Sequence, residues 1–258
     1  MGILYNKVCI VTGASSGIGR AIAIAFAAQG AKAVIVSDLT ERSREEGAIS
    51  TVEAIQVMGF GTEAVFQQAD VAKVEDNDRI VAAAERFGGV DVMMCNVGIS
   101  LASDGPEVSP EDFQRLMSIN LNGTLFGAQA AARSMKKNGK PGSIILMSSM
   151  GGLAGARFTL AYSVSKGGIV QMTRCLADAH GPDGIRVNAV APGSIDTVLL
   201  RTSPGINEAT EAFRVRTPLR RIGLPFEVAN AVAFLASDLS SYITGIILPV
   251  DGGLLASI

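Results

Sequence analysis

A tyrosine and a lysine stand four residues apart in a segment with a helical pattern. On a helix this spacing places the phenol of Tyr162 and the ammonium of Lys166 on one face. A cation ~4 Å from a phenolate, at an effective dielectric constant of ~20, stabilises it by roughly 4 kcal/mol. This energy predicts that the pKa of Tyr162 moves from ~10 towards neutrality, where a phenol exchanges protons efficiently. The pair is therefore a candidate general acid/base.

A glycine-rich loop lies far upstream of this pair. Residues 12–19 read TGASSGIG, between an apolar run and a helical pattern. Glycines permit positive φ angles and remove Cβ atoms that would block a pyrophosphate, and a helix N-terminus attracts its charge. Glycine-rich turns also occur for packing, but Asp38 ends the second apolar run, where a ribose-binding carboxylate belongs. These features predict a dinucleotide site.

Asp38 also bears on the choice of dinucleotide. Its carboxylate can accept hydrogen bonds from ribose hydroxyls and would repel a 2′-phosphate, so NAD is predicted and NADP is disfavoured. Arg20 and Arg42 are the nearby cations that could weaken this preference. The alternative reading of Asp38 is a polar residue that ends a strand.

The same loop fits a second motif, because Gly13, Ser15 and Gly17 have the spacing of a nucleophile elbow. A hydrolase of that type needs an acid and then a histidine downstream. The only histidine, His180, stands beside Gly181-Pro182 at a predicted helix end, and the loop follows the first apolar run. A serine hydrolase is therefore disfavoured.

Composition narrows the function further. The chain has 258 residues, 48% of them hydrophobic, and a net charge of −2 with scattered lysines and arginines, which does not indicate a nucleic-acid or membrane partner. Cys9, Cys95 and Cys175 have neither disulfide nor metal-ligand spacing, and we expect a reducing cytoplasm. The residues before Lys7 do not have a leader pattern, and polar residues interrupt the longest uncharged run, Leu116–Ala132, so neither export nor membrane insertion is expected. A small-molecule function is the better expectation.

Apolar runs alternate with helical patterns along the chain. The runs, predicted to be strands buried on both faces, are Lys7–Thr12, Lys32–Ser37, Glu63–Ala69, Val90–Cys95, Ser143–Ser148, Ile185–Val190 and Ile246–Val250. The helical patterns are Gly17–Gln29, Glu41–Met58, Lys73–Phe87, Pro110–Lys137 with a possible break near Asn122-Gly123, Leu160–Ala179 and Pro225–Ala236. A (β/α)8 barrel needs eight strand–helix units, and the seventh run has no helix after it. We predict an α/β fold of the Rossmann type, in which a doubly wound parallel sheet of seven strands carries helices on both faces of a single domain.

The motifs together resemble the short-chain dehydrogenase/reductase family, from Lys7 to Gly253. In chain order they are TGASSGIG from Thr12, Asp70-Val71, Asn120, Ser149, Tyr162-x-x-x-Lys166, Pro192-Gly193 with Thr197 after it, and VDGG from Val250. Singly, each of these residues has an ordinary structural explanation. Their whole series in this order is far more specific.

The resemblance implies hydride transfer between a nicotinamide and a carbinol or carbonyl carbon. It makes Tyr162 the general acid/base, Ser149 the group that polarises the substrate oxygen, Lys166 a ribose ligand, and Asn120 the holder of a proton-relaying water. The catalytic residues implied are thus Asn120, Ser149, Tyr162 and Lys166, with no metal. The cofactor-binding residues implied are Gly13, Ser15, Ser16, Gly17, Ile18, Gly19, Asp38, Asp70, Val71, Asn96, Val97, Gly98, Tyr162, Lys166, Pro192, Gly193, Ile195 and Thr197.

One position departs from the family pattern, because Cys95-Asn96-Val97-Gly98 stands where Asn-Asn-Ala-Gly is usual. A weak thiol replaces a strong amide donor and acceptor, and we expect altered stability more than altered chemistry.

Substrate and assembly are less constrained. The residues expected around the substrate are mainly apolar: Ser100, Leu101, Met150, Leu153, Phe158, Leu199, Leu200 and Phe213. A secondary alcohol or ketone is favoured. Sugars, polyols, steroids and acyl-carrier substrates all stay open, and the chain resembles bacterial sugar and polyol dehydrogenases. Residues 197–217, which include most of the weakly patterned stretch Arg201–Arg221, are expected to cover the substrate.

Two further expectations complete the sequence-based picture. The long helical patterns from Pro110 and Leu160 predict a homodimer or homotetramer. A non-catalytic dinucleotide-binding sensor or scaffold is the alternative function.

Overall fold

A parallel sheet forms the centre of the computed structural model, which describes residues 2–101, 104–155, 159–202 and 206–257, with the side chains of 206–210 left out. Its strands are β1 (Val8–Thr12), β2 (Ala33–Asp38), β3 (Glu63–Gln68), β4 (Val92–Cys95), β5 (Gly142–Met147), β6 (Ile185–Pro192) and β7 (Ile247–Val250). They lie in the order β3-β2-β1-β4-β5-β6-β7, and every pairing is parallel. The predicted seven-stranded sheet is confirmed, with strand ends shifted by at most two residues.

Helices connect the strands. They are α1 (Gly17–Ala28), α2 (Thr51–Val57), α3 (Val74–Glu85), α4 (Pro110–Leu116), α5 (Gly123–Lys137), α6 (Leu160–His180), α7 (Val198–Arg201), α8 (Ile206–Arg216) and α9 (Pro225–Ala236). A π-helical turn, Met117–Asn122, joins α4 to α5 without a break. No helix was predicted for α7 or α8; α8 lies within the weakly patterned stretch, and α7 ends at its first residue, Arg201.

The predicted helix Glu41–Met58 is wrong over its first half. Gly47 has a φ of +72°, a left-handed conformation that interrupts a right-handed helix. The helix begins only at Thr51, where the Ser50 side chain caps it by accepting a hydrogen bond from the Glu53 amide at 3.1 Å. Residues 39–50 are therefore a long connection beside β2.

The core has two layers, one on each face of the sheet. Alternate residues of β1 divide between them: Cys9 and Val11 pack with α1 and α9, whereas Val8 and Ile10 pack with α3, α5 and α6. This division is the doubly wound arrangement. Because β1 lies between β2 and β4, the chain order reverses there, and a crevice opens beyond the carboxyl ends of β1 and β4.

Candidate functional site

The turn from β1 to α1 forms the floor of this crevice. Gly13 has a φ of +65°, and a Cβ built on Gly19 would overlap the Gly13 carbonyl oxygen, so neither position accommodates a side chain. At the N-cap of α1, Ser16 makes no side-chain cap bond within the described residues. The first-turn amides of α1 therefore point to a place that suits an anion.

Asn96, just after β4, holds the turn in shape. Its Nδ2 donates to the carbonyl oxygens of Thr12 at 2.9 Å and Gly13 at 3.2 Å. Its backbone amide donates to the Thr12 hydroxyl at 3.1 Å, and that hydroxyl donates to the Met94 carbonyl oxygen at 3.4 Å. β4 and the turn are thus one hydrogen-bonded unit.

Asp38 lies on the other side of the turn, at the end of β2. Its Oδ2 accepts from the Ser15 amide at 3.2 Å and its Oδ1 from the Leu39 amide at 2.8 Å. The carboxylate is half-buried beside the first residues of the glycine loop. Its negative charge lies where the resemblance places the adenosine ribose.

A second carboxylate, not expected from the sequence, lies against the start of α1. Glu45 Oε1 accepts from the Gly17 amide at 3.3 Å. The same carboxylate is near the guanidinium of Arg201 on α7, whose pKa is raised first by its 2.7 Å hydrogen bond to Asp196 and the charge of that residue, and then by Glu45. A protein carboxylate thus lies where the α1 amides would receive a phosphate.

Tyr162, Lys166 and Ser149 come together at the carboxyl end of β5. The Tyr162 side chain is hydrogen-bonded to Ser149, and the Lys166 Nζ lies 5.7 Å from the centre of the Tyr162 ring. Lys166 is 2% exposed, and its ammonium donates to the Met147 carbonyl oxygen at 2.8 Å. A Cβ on Gly98 would lie only 3.0 Å from this ammonium, so the segment after β4 reaches the same group.

The expected lowering of the Tyr162 pKa is wrong for the cofactor-free protein. Burial raises the pKa of Tyr162, and the hydrogen bond with Ser149 lowers it by less. Burial also lowers the pKa of Lys166 to about 8. Both groups lose solvent on burial, and the Lys166 ammonium lies over the Tyr162 ring, 5.7 Å from its centre, so the charge pair does not produce the expected shift.

Asn120 lies within the π-helical turn and is fully buried. Its Oδ1 accepts from the Ile99 amide at 2.8 Å, and its Nδ2 donates to the Ile99 carbonyl oxygen at 2.9 Å and to the Ser165 hydroxyl at 3.2 Å. Its own carbonyl oxygen accepts from Thr124 Oγ1 at 2.7 Å. Asn120 thus links the segment after β4 to α6. Its contact on α6 is Ser165, the residue before Lys166.

The other predicted cofactor residues lie along the same edge of the sheet. Asp70 and Val71 follow β3, and Val97 lies between Asn96 and Gly98 after β4. Ile18 is in the first turn of α1. Pro192 ends β6, and Gly193 and Ile195 follow it. Thr197 caps α7, accepting from the Leu200 amide at 3.3 Å, and its methyl would meet a Cβ on Gly17 at 3.4 Å. Of the predicted substrate residues, Phe158 lies outside the described residues.

Cys95 lies in the core beneath the site, and its thiol is buried. The Cys95 Sγ and the Asn77 Oδ1 both lie near Gly127. A Cβ added to Gly127 would be 3.1 Å from the Cys95 Sγ and 3.2 Å from the Asn77 Oδ1. Within the described residues that Asn77 oxygen has no hydrogen-bond partner. Replacement of the usual asparagine by Cys95 thus coincides with an unpaired acceptor.

These residues fit a nicotinamide dinucleotide. The glycine-rich turn and the α1 amides suit a pyrophosphate, and Asp38 suits a ribose. Such a cofactor supplies the hydride acceptor or donor of an oxidoreductase. The described part of the chain contains no cluster of histidine, cysteine or carboxylate side chains arranged to hold a metal. It also contains no helix that is long and apolar enough to span a membrane.

Known proteins match the chain over nearly its whole length. A family model described as enoyl-(acyl carrier protein) reductase matches residues 13–255. An L-rhamnose 1-dehydrogenase (NAD(P)+) from Azotobacter vinelandii is 41% identical over 99% of both chains. A 3β-hydroxysteroid dehydrogenase from Eggerthella lenta is 40% identical over 97% of this chain and 94% of its own. A crystal structure of a putative 2-deoxy-D-gluconate 3-dehydrogenase from Agrobacterium tumefaciens, with bound NADP, has a TM-score of 0.85 at 32% identity and 98% coverage of both chains.

The fold and the matches define an oxidoreductase with a Rossmann-type domain that acts on CH–OH groups. The chain belongs to the short-chain dehydrogenase/reductase family. A non-catalytic sensor is not favoured, because the matched relatives are dehydrogenases.

Proposed function

We propose that Tyr162 is the general acid/base of this dehydrogenase. The observation that supports this role best is that two segments meet α6 at these residues. Ser149, after β5, is hydrogen-bonded to Tyr162 of α6, and Gly98, after β4, lies against Lys166 of α6. In oxidation Tyr162 takes the proton of the substrate hydroxyl, and in reduction it returns one. Ser149 donates a hydrogen bond to the substrate oxygen and so orients it.

Lys166 and Asn120 support this pair. The Lys166 ammonium is proposed to bind the nicotinamide ribose and to stabilise the Tyr162 phenolate once a bound cofactor and substrate enclose them. Asn120 has both ends of its amide engaged with Ile99, so we assign it a positioning role. The proton-relaying water near Asn120 stays a prediction.

We propose NAD as the preferred cofactor. The Asp38 carboxylate supports this preference, because it would lie against the 2′-phosphate of NADP. The relative from Azotobacter is named for NAD(P)+, and the Agrobacterium structure holds NADP, so both cofactors need measurement. Titration of NADH and NADPH by fluorescence should give the lower Kd for NADH.

For the substrate we propose an aldose, oxidised at C1. A cyclic aldose has a hydroxyl on C1; loss of its proton and of a hydride from the same carbon yields a lactone, NADH and H⁺. The relative that oxidises L-rhamnose supports this class, whereas the nearly equally similar steroid dehydrogenase makes a hydroxysteroid the alternative. Residues 197–217, which include α7 and α8, are the proposed cover over this substrate.

We also infer a homo-oligomer, a dimer or tetramer, in the cytoplasm. Large apolar side chains are exposed on α6, at Leu160 and Val164, and on α9, at Phe226 and Phe234. Such side chains commonly mark subunit contacts. A monomeric mass by light scattering at micromolar concentration would contradict the oligomer.

The test is a panel of L-rhamnose, D-glucose, 2-deoxy-D-gluconate and a 3β-hydroxysteroid with NAD and NADP, monitored by absorbance of the reduced cofactor. Tyr162→Phe should reduce kcat by about 10²–10⁴-fold, the usual contribution of general acid/base catalysis, and leave the Kd of NADH nearly unchanged. The control is Tyr242→Phe, which changes a fully exposed phenol. Retained turnover in Tyr162→Phe would overturn the proposed role.

A further inference from the structure

Asp104 is a buried carboxylate in the connection between β4 and α4. It is 2% exposed and lies outside the residues assigned to proton transfer or cofactor binding. Its two oxygens accept from two backbone amides at the start of α6: Oδ1 from Ala161 at 2.6 Å and Oδ2 from Tyr162 at 2.9 Å. The carboxylate thus binds the backbone of the proposed acid/base itself.

These bonds satisfy groups that a helix cannot satisfy alone, because the first amides of a helix have no partner within it. Within the described residues, the N-cap residue Thr159 makes no side-chain cap bond; its hydroxyl pairs with Ser163 at 3.1 Å. Asp104 therefore caps α6 from a remote part of the chain, and its negative charge suits the positive end of the helix dipole.

The location of Tyr162 gives this cap a consequence for activity. Tyr162 is the third residue of α6, in the terminal turn, which is the part of a helix most prone to fraying. The same connection holds Gly98 against Lys166 and Ile99 against Asn120. One segment therefore touches every part of the proposed catalytic group except Ser149.

We infer that Asp104 is a positioning residue, whose carboxylate fixes the first turn of α6 so that the Tyr162 phenol is held in its reactive position. This inference rests on the proposed role of Tyr162. The two amides need two acceptor oxygens, and a carboxylate provides both. A carboxamide has one acceptor oxygen and can accept from only one of these amides in the same geometry. The role is geometric, because the two Asp104 oxygens bind backbone amides.

The experiment compares Asp104→Ala, Asp104→Asn, Tyr162→Phe and a control, Ser237→Ala. Ser237 is also a buried cap, accepting from the Leu239 amide at 3.2 Å, but it lies at the amino-terminal edge of the sheet. Each variant is assayed well below the lowest melting temperature, with NAD and L-rhamnose or the panel member oxidised fastest. The readouts are kcat, KM and the Kd of NADH.

Asp104→Ala should lower kcat by about 10²-fold, as expected for a displacement of order 1 Å, with a smaller change in KM and in the Kd of NADH. Asp104→Asn should recover part of kcat, because one hydrogen bond survives. If Asp104→Ala does not fold, Asp104→Asn alone decides, with kcat expected between those of the wild type and Tyr162→Phe. A kcat no lower than that of Ser237→Ala in the folded Asp104 variants would overturn the inference. Full turnover in Tyr162→Phe would instead refute the proposed function.

Discussion

Replacing Lys166 by methionine should stabilise the cofactor-free protein against unfolding while removing its activity. The Lys166 side chain is 2% exposed, and burial lowers its pKa from 10.5 to about 8. At about 1.4 kcal/mol per pKa unit, this difference means that the buried ammonium costs about 3 kcal/mol at neutral pH. Methionine loses the hydrogen bond to Met147, worth about 1 kcal/mol. The expected net gain in the free energy of unfolding is about 2 kcal/mol.

The pH dependence has a defined sign. The folded pKa of Lys166 is below the unfolded one, so between about pH 8 and 10.5 the unfolded chain binds the extra proton. Stability of the wild type therefore rises through this range as the ammonium cost disappears. The advantage of Lys166→Met should be largest below pH 8 and shrink above it.

Urea unfolding monitored by far-ultraviolet circular dichroism suits the measurement, because the chain has no tryptophan. Protein concentration is held constant, since an oligomer would change the apparent stability. The control is Lys137→Met, which makes the same substitution at an exposed lysine of α5 and should give no comparable stabilisation at pH 7. A Lys166→Met protein no more stable than wild type at pH 7, or with an advantage that persists unchanged to pH 10, would refute the burial argument.

Three further substitutions test the remaining features. Asp38→Asn should shift the ratio of the NADPH and NADH Kd values by about 10-fold towards NADPH, the equivalent of about 1.4 kcal/mol; an unchanged ratio would contradict the repulsion argument. Glu45→Gln should lower the Kd of NADH severalfold, because it removes the negative charge that lies beside the Gly17 amide. A higher Kd by fluorescence titration would contradict this expectation. Cys95→Asn should raise the melting temperature by a few degrees by offering a donor to the unpaired Asn77 oxygen, with kcat preserved. A large change in kcat without a change in melting temperature would show that the position affects chemistry.

The sheet and the proposed proton-transfer pair were predictable because their signals are local. A strand is visible as an apolar run, and four-residue spacing brings Tyr162 and Lys166 together whatever the rest of the chain does. Asp104 and Glu45 were missed because each binds a backbone amide far away in sequence: Asp104 is 58 residues from Tyr162, and Glu45 is 28 residues from Gly17. No local pattern marks such an acceptor.

The errors have physical causes of the same kind. The helix Glu41–Met58 was predicted from a helical pattern, and that pattern gives no sign of the left-handed backbone at Gly47. The Tyr162 pKa was predicted from a charge pair alone, whereas the loss of water around the phenol raises this pKa. Spacing predicts which groups meet, whereas the solvent they lose depends on the whole fold.

The π-helical turn Met117–Asn122 makes this region sensitive to chain length. Such a turn contains one more residue than an α-helical path between the same ends. Removing a single residue would let the backbone become regular α-helix. It would also rotate everything on one side of the deletion by about 100° relative to the other, so the amide of Asn120 and the helix α5 could not both keep their places. Related chains should therefore tolerate substitutions within 117–122 far better than a change in the number of residues.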